Sequence, residues 1–401
     1  MALMNQVNHP SPGPPYHVML KPRGAICDLD CQYCYYLSKE ALYPGSDFRM
    51  SDEVLEEFTR SYIESQSGPE ITFGWQGGEP TLMGLEFFER AMASQQRHTP
   101  EGVRILNTLQ TNGRHLTPQW CRFLRAHGFL VGISIDGPEH LHDAYRVDKG
   151  GNPSFRTTMD GLDLLQTHGV EFNVLTTLHA ANAEHPLEVY RFLRDEVGTR
   201  FIQFIPIVER EVATGMVSDC SITGEQYGEF LVQVFDEWVR HDVGTVFVQL
   251  FDVALAAWVR MPPPLCIFQE ECGGALAMEH NGDLYSCDHF VFPDHHLGNV
   301  LDTPLDQLVL GEQQRAFGKA KSTTLPEYCR QCEVKFVCNG GCPKDRFIDT
   351  PDGEPGLNYL CAGYRRFFNH VRPAMEYMTA QLRRGQPPAA IMEEFAGREY
   401  G

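Results

Sequence analysis

Three cysteines within eight residues, Cys27, Cys31 and Cys34, are spaced C-x3-C-x2-C just after an apolar run from His17 to Pro22. Thiolates this close can hold three corners of a cubane iron–sulfur cluster, leaving its fourth iron without a protein ligand. An open iron is a place for chemistry. Zinc suits the stretch less well, because structural zinc is closed by four ligands and C-x2-C pairs normally arrive twice at matched spacing. Beyond Pro262-Pro263-Pro264 stand eight more: Cys266, Cys272, Cys287, Cys329, Cys332, Cys338, Cys342 and Cys361. Apolar periodicity thins there and glycine-rich turns multiply, which reads as a small domain held by metal rather than by a core. Spacing alone leaves zinc ribbons and further iron–sulfur clusters both open. Of the 13 cysteines, Cys121 and Cys220 remain. Cys121 reads as a small apolar residue buried in a helix, and Cys220 sits in a loop with no assigned role.

Elements that could position the first three cysteines follow in strict alternation. Ser51 precedes a helical pattern with Val54, Leu55, Phe58 and Tyr62 on one face, and Ile71–Trp75 reads as a strand. Strands are expected over 103–109, 129–136, 172–178 and 201–208, with helices over 117–127, 155–168, 186–197 and 226–241. Such alternation gives a parallel sheet wrapped by helices, either doubly wound or closed toward a barrel. Periodicity does not choose between them.

In a parallel barrel the chemistry gathers at the C-terminal strand ends. Gln76-Gly77-Gly78-Glu79-Pro80 directly follows one such end; adjacent glycines let backbone approach a ligand, and the carboxylate can accept from an ammonium group. Gln110-Thr111-Asn112-Gly113 ends the next strand and Ser134-Ile135-Asp136-Gly137 the one after, with Arg146 ten residues past Asp136. A hydroxyl and a guanidinium suit the ribose and carboxylate of a nucleoside–amino-acid ligand.

The C-x3-C-x2-C loop with Tyr33 before its last cysteine, followed one strand later by Gly-Gly-Glu-Pro, resembles the radical S-adenosylmethionine (SAM) superfamily. The resemblance implies a partial (β/α)6 TIM-type barrel with SAM chelated at the open iron and its amino group held by Gln76, Gly77, Gly78 and Glu79. The eight later cysteines resemble a SPASM domain with two further [4Fe–4S] clusters. By that pattern Cys266, Cys272, Cys287 and Cys342 ligate one, and Cys329, Cys332, Cys338 and Cys361 the other. Within this group the chain is similar to anaerobic sulfatase-maturating enzymes from Met19 to about Phe368, through Gln76–Leu82, Gly84–Phe88, Leu109–Gly113, Leu130–Pro138 and Tyr285–Asp288. Such enzymes oxidise a cysteine or serine of a sulfatase polypeptide, in a Cys/Ser-x-Pro/Ala-x-Arg motif, to Cα-formylglycine. The resemblance places SAM against Tyr33, Gly78, Ser134, Asp136, Arg146 and the backbone of Val208, makes Asp288 the proton acceptor, and implies an electron donor such as flavodoxin or ferredoxin. Expected domains are a flexible segment 1–16, the barrel 17–245, the SPASM domain 246–375 and a helical tail 376–401.

Composition agrees with a large α/β enzyme: 401 residues, 42% hydrophobic, formal net charge −20. That charge argues against nucleic acid or an anionic membrane bound through a broad basic face. With no run of eighteen apolar residues and clustered cysteines, the reading is a cytoplasmic protein in a reducing compartment. Two other classes remain: a SPASM peptide maturase forming thioether or carbon–carbon crosslinks, and a zinc-stabilised binding module without activity. Residues 1–16 are short for the leader-binding domain the first would usually carry.

Overall fold

A computed structural model describes residues 16–211 and 214–395. Residues 1–15 of the expected N-terminal segment, and 396–401 of the expected tail, lie outside the described residues.

Parallel strands β1 (His17–Lys21), β2 (Glu70–Trp75), β3 (Arg104–Thr111), β4 (Leu130–Ser134), β5 (Glu171–Leu178) and β6 (Phe201–Pro206) pair in sequence order. Helices Asp52–Ser65, Leu85–His98, Pro118–Ala126 and Phe155–Thr167 make the first four crossovers, and the fifth, Pro186–Arg191, widens into a π turn over Phe192–Glu196. These are the elements the apolar periodicity calls for, a parallel sheet whose inter-strand crossings are helical. Local signals start them. Ser51 accepts from the Val54 amide, Thr117 from that of Trp120, and Thr223 and Gln226 form a reciprocal capping box at the head of helix Gly224–His241.

The sheet does not stop at six strands. A short β7 (Phe247–Val248) adds to β6, while β8 (Ala275–Glu279) pairs in parallel with β1, register His17 to Ala275, and carries the antiparallel β9 (Asp283–Tyr285) and β10 (His296–Asn299). The ten-stranded order is β10-β9-β8-β1-β2-β3-β4-β5-β6-β7. The cysteine-rich region therefore shares the barrel's sheet on both sides of residues 245–246. It shares the core too, contrary to the expectation of a domain held by metal alone. Phe268, Leu276, Met278, Val334, Leu360 and Phe367 are buried in the same cluster as Phe58, Trp75 and Phe235. Helix Cys361–His370 packs on Gly224–His241 through Tyr227 against Tyr364, ring centroids 5.6 Å apart, and Phe235 against Phe367. Its apolar residues fall at helical spacing over a stretch too short for composition to reveal. No helix of the described residues is long and apolar enough to cross a membrane.

Candidate active site

The cysteine loop after β1 is held from two sides. Glycine-loop amides reach it first: Gly78 N donates to Gly24 O (2.8 Å) and Glu79 N to Ile26 O (2.8 Å). A Cβ on Gly78 would lie 2.0 Å from Ile26 O, so this contact exists only because residue 78 is glycine. From the other side Asp30 N and Gln32 N donate to Val147 O and Tyr145 O, while Asn112 Nδ2 and Arg114 Nη1 bind the two oxygens of Asp28 (2.8 and 2.9 Å). Burial works upward on Asp28, but hydrogen bonds from His115 and Asn112 and the Arg114 charge bring it down to about 2. The loop is anchored by an ionised carboxylate one residue from Cys27. Gly78→Ala is expected to lose roughly one third of the iron of an anaerobically reconstituted protein, the share of one cluster in three, by iron and sulfide analysis.

The Glu79 side chain ties two strand ends together. Its carboxylate is buried and accepts from Thr81 N (3.0 Å), Thr81 Oγ1 (2.6 Å), Thr111 Oγ1 (2.9 Å) and Asn112 N (2.8 Å). Three of these donors converge on Oε1 and one on Oε2, so the carboxylate bolts the glycine loop to the end of β3. Gln76 donates to the Met19 sulfur, and Gly77 packs over the Lys21 stem. Asp136, fully buried, accepts from Tyr33 Oη and Arg146 Nε (2.8 Å) on one oxygen and from Thr177 N (2.9 Å) on the other. Burial pushes it up, yet Arg146 and His179 hold it well below the usual carboxylate range. It holds Tyr33 and Arg146 in place. Ser134 Oγ accepts from Gln110 Nε2 (2.9 Å), and Val208 O accepts from Lys344 Nζ (2.8 Å).

These strand ends open on a cavity of about 650 Å³ whose wall includes Met19, Cys34, Tyr35, Gln76, Asp288 and His289. Asp288 is buried, and its carboxylate ion-pairs with Lys21 and accepts from the Tyr35 hydroxyl. Burial drives its pKa up, but Lys21, His289 and the Tyr35 hydroxyl together outweigh that and keep it below the ordinary carboxylate value. His289, pushed down to about 4 by burial, is neutral beside it. Cys266, Cys272, Cys287 and Cys342 open on this same cavity, whereas Cys329, Cys332, Cys338 and Cys361 line a separate hollow. Burial pushes Cys31, Cys338, Cys342 and Cys361 up to about 12, where only a bound metal makes them thiolates at neutral pH. Among the described residues no three or more His, Cys, Asp or Glu side chains converge tightly enough for a single metal ion. Each quartet rims a hollow instead, an arrangement that fits a cluster's wider girth.

The radical SAM superfamily pattern matches residues 22–193, and an iron–sulfur cluster-binding domain pattern, SPASM, matches 266–333. The serine-type anaerobic sulfatase-maturating enzyme of Bacteroides thetaiotaomicron is 47% identical over 94% of this chain and 95% of its own. The chain belongs to the anaerobic sulfatase-maturating enzymes. The cysteine-type member from Clostridium perfringens is 32% identical over 90% of this chain and 98% of its own. The solved structure of native anSMEcpe with bound AdoMet and Cp18Cys peptide superimposes with TM-score 0.83 at 31% identity, covering 92% of this chain and all of that one. In this anaerobic sulfatase-maturating enzyme the cysteine loop and Gly-Gly-Glu-Pro lie together, while Lys21, Tyr35 and His289 join the cavity region unforeseen. One signal for Lys21 existed: in β1 the period of two puts it on the face of His17 and Met19, opposite Val18 and Leu20.

Proposed function

We propose that this radical SAM enzyme oxidises a serine, in preference to a cysteine, of a sulfatase polypeptide to Cα-formylglycine, with Asp288 as proton acceptor. The serine preference is supported by 47% and 39% identity to serine-type relatives against 32% to a cysteine-type one. On this reading Cys27, Cys31 and Cys34 hold the open cluster, Tyr33, Gly78, Ser134, Arg146 and Val208 surround SAM, and the two quartets hold auxiliary clusters. When bound, the open cluster and SAM supply a 5′-deoxyadenosyl radical able to remove a hydrogen from the target β-carbon, given one electron from a donor such as flavodoxin or ferredoxin.

The observation that carries the proposal is the buried Asp288, paired with Lys21 and Tyr35, on the wall that also holds Cys34 and Cys287. Once its β-hydrogen is gone, the target side chain must still lose a hydroxyl or thiol proton and one electron. Lys21 keeps Asp288 ionised to take that proton, and Tyr35 fixes the direction in which it is taken. The largely apolar cavity wall limits competing water at that point.

Asp288→Asn is expected to retain iron and SAM binding and to lower turnover roughly 10²–10⁴-fold. A hydroxyl is less acidic than a thiol, so the loss should be larger with a serine peptide than with its cysteine counterpart. Mass spectrometry of a Ser-x-Pro/Ala-x-Arg peptide after incubation with SAM and reductant reads both. Equal aldehyde yield from wild type and variant would remove the base role; deoxyadenosine release with a peptide that loses mass without aldehyde would favour crosslinking chemistry.

A further inference from the structure

Two cations, Lys321 buried and Arg346 half-buried, sit where the cysteine quartets meet. Cys338 of one and Cys342 of the other are joined by Asn339-Gly340-Gly341, all three at positive φ (45°, 75° and 63°). That succession turns their carbonyls onto one guanidinium. Arg346 Nε donates to Gly340 O (2.9 Å), Nη2 to Asn339 O (2.9 Å) and Gly341 O (3.3 Å), and Nη1 to Lys321 O (2.6 Å). A Cβ on Gly340 would fall 2.6 Å from Arg346 Nη2, so the fit requires glycine. Lys321, only 1% exposed, spends its ammonium on Cys266 O (2.7 Å), Ile267 O (2.9 Å) and Gln269 O (2.5 Å).

The hydrogen bonds of these cations go to neutral carbonyls, and among the described residues neither is ion-paired to a carboxylate. A buried positive charge without a counter-ion is costly. The acidic groups that face Arg346 are Cys329 and Cys338 of one quartet and Cys272 and Cys342 of the other; those facing Lys321 are Cys272, Cys266 and Cys342. The missing counter-charge is supplied when these sulfurs are thiolates.

We propose that Arg346, assisted by Lys321, is a shared electrostatic anchor that raises the reduction potential of both auxiliary clusters. This rests on the quartets holding the clusters, as proposed above. A cluster with four thiolates is anionic and gains one more negative charge on reduction, so a fixed cation favours the reduced form. The chemistry needs such an acceptor: as Asp288 takes the substrate proton, one electron leaves the substrate carbon, the C–O or C–S double bond forms, and a [4Fe–4S] cluster is reduced. Arg346 is thus a positioning residue, remote from the reacting atoms.

The test is an anaerobic redox titration of reconstituted holoprotein followed by electron paramagnetic resonance, repeated with Cys27, Cys31 and Cys34 all changed to alanine to isolate the auxiliary signals. Arg346→Gln should lower the reduced-to-oxidised ratio at fixed potential at least tenfold, a midpoint shift of about 59 mV for a one-electron couple, with Arg346→Lys restoring most of it. Lys321→Gln should shift chiefly the cluster of Cys266, and serves should Arg346→Gln lose iron. Unmoved midpoints in iron-replete variants overturn the proposal. Wild-type protein with iron for one cluster only would overturn instead the ligand assignment beneath it.

Discussion

Cys31→Ala is expected to abolish SAM cleavage altogether while sparing roughly two thirds of the iron, since only one cluster of three loses a ligand. Cys31 lies between the loop's two anchors, with its backbone carbonyl accepting from Cys34 N (2.9 Å) and the Arg146 and Asp136 charges facing its sulfur. Deoxyadenosine measured by chromatography should fall below detection, with the auxiliary paramagnetic signals retained. Cys220→Ala, in a loop outside the cavity, provides the control and should keep both. Full deoxyadenosine production by Cys31→Ala would displace the catalytic cluster from this loop.

Lys21→Met has the next largest expected effect, because it strands the Asp288 carboxylate in the interior. Breaking a buried pair by removing one partner costs about 3–5 kcal/mol, as the surviving charge has lost both water and counter-ion. The carboxylate relieves this by taking up a proton, and a protonated acid accepts no further proton from substrate. Thermal unfolding should therefore drop markedly, and aldehyde formation by about a hundredfold or more. Adding Asp288→Asn to Lys21→Met should recover much of the stability and none of the turnover. Strictly additive losses in the double variant would show that the two groups are not coupled.

What could be read from the chain was what is local in it. The three cysteines, Gly-Gly-Glu-Pro and the capping residues Ser51 and Thr223 each act within a few positions, so spacing carried their meaning. The bonds of Glu79 were not legible, because its donors come from Thr81 and from Thr111 and Asn112, the latter two more than thirty residues away. Asp136 is similar: the resemblance placed SAM against it, and in the fold it seats Tyr33 and Arg146. Lys21, Tyr35 and Asp288 meet across separations of 253 and 267 residues, which no periodicity encodes. The same holds for β8. Ala275–Glu279 is a run of five with no mark of parallel pairing to His17–Lys21.

That pairing makes the two catalytic halves one mechanical part. β1 delivers the loop of Cys27 at its end and Lys21 along its length, and it is gripped on one side by β2 and on the other by β8. A fragment cut before β8 would expose β1 as a raw sheet margin with unpaired amides and carbonyls, an invitation to self-association. The cysteine-rich extension is no detachable accessory in this architecture: through β1 and the shared core, a shift in it is passed on to the loop of Cys27.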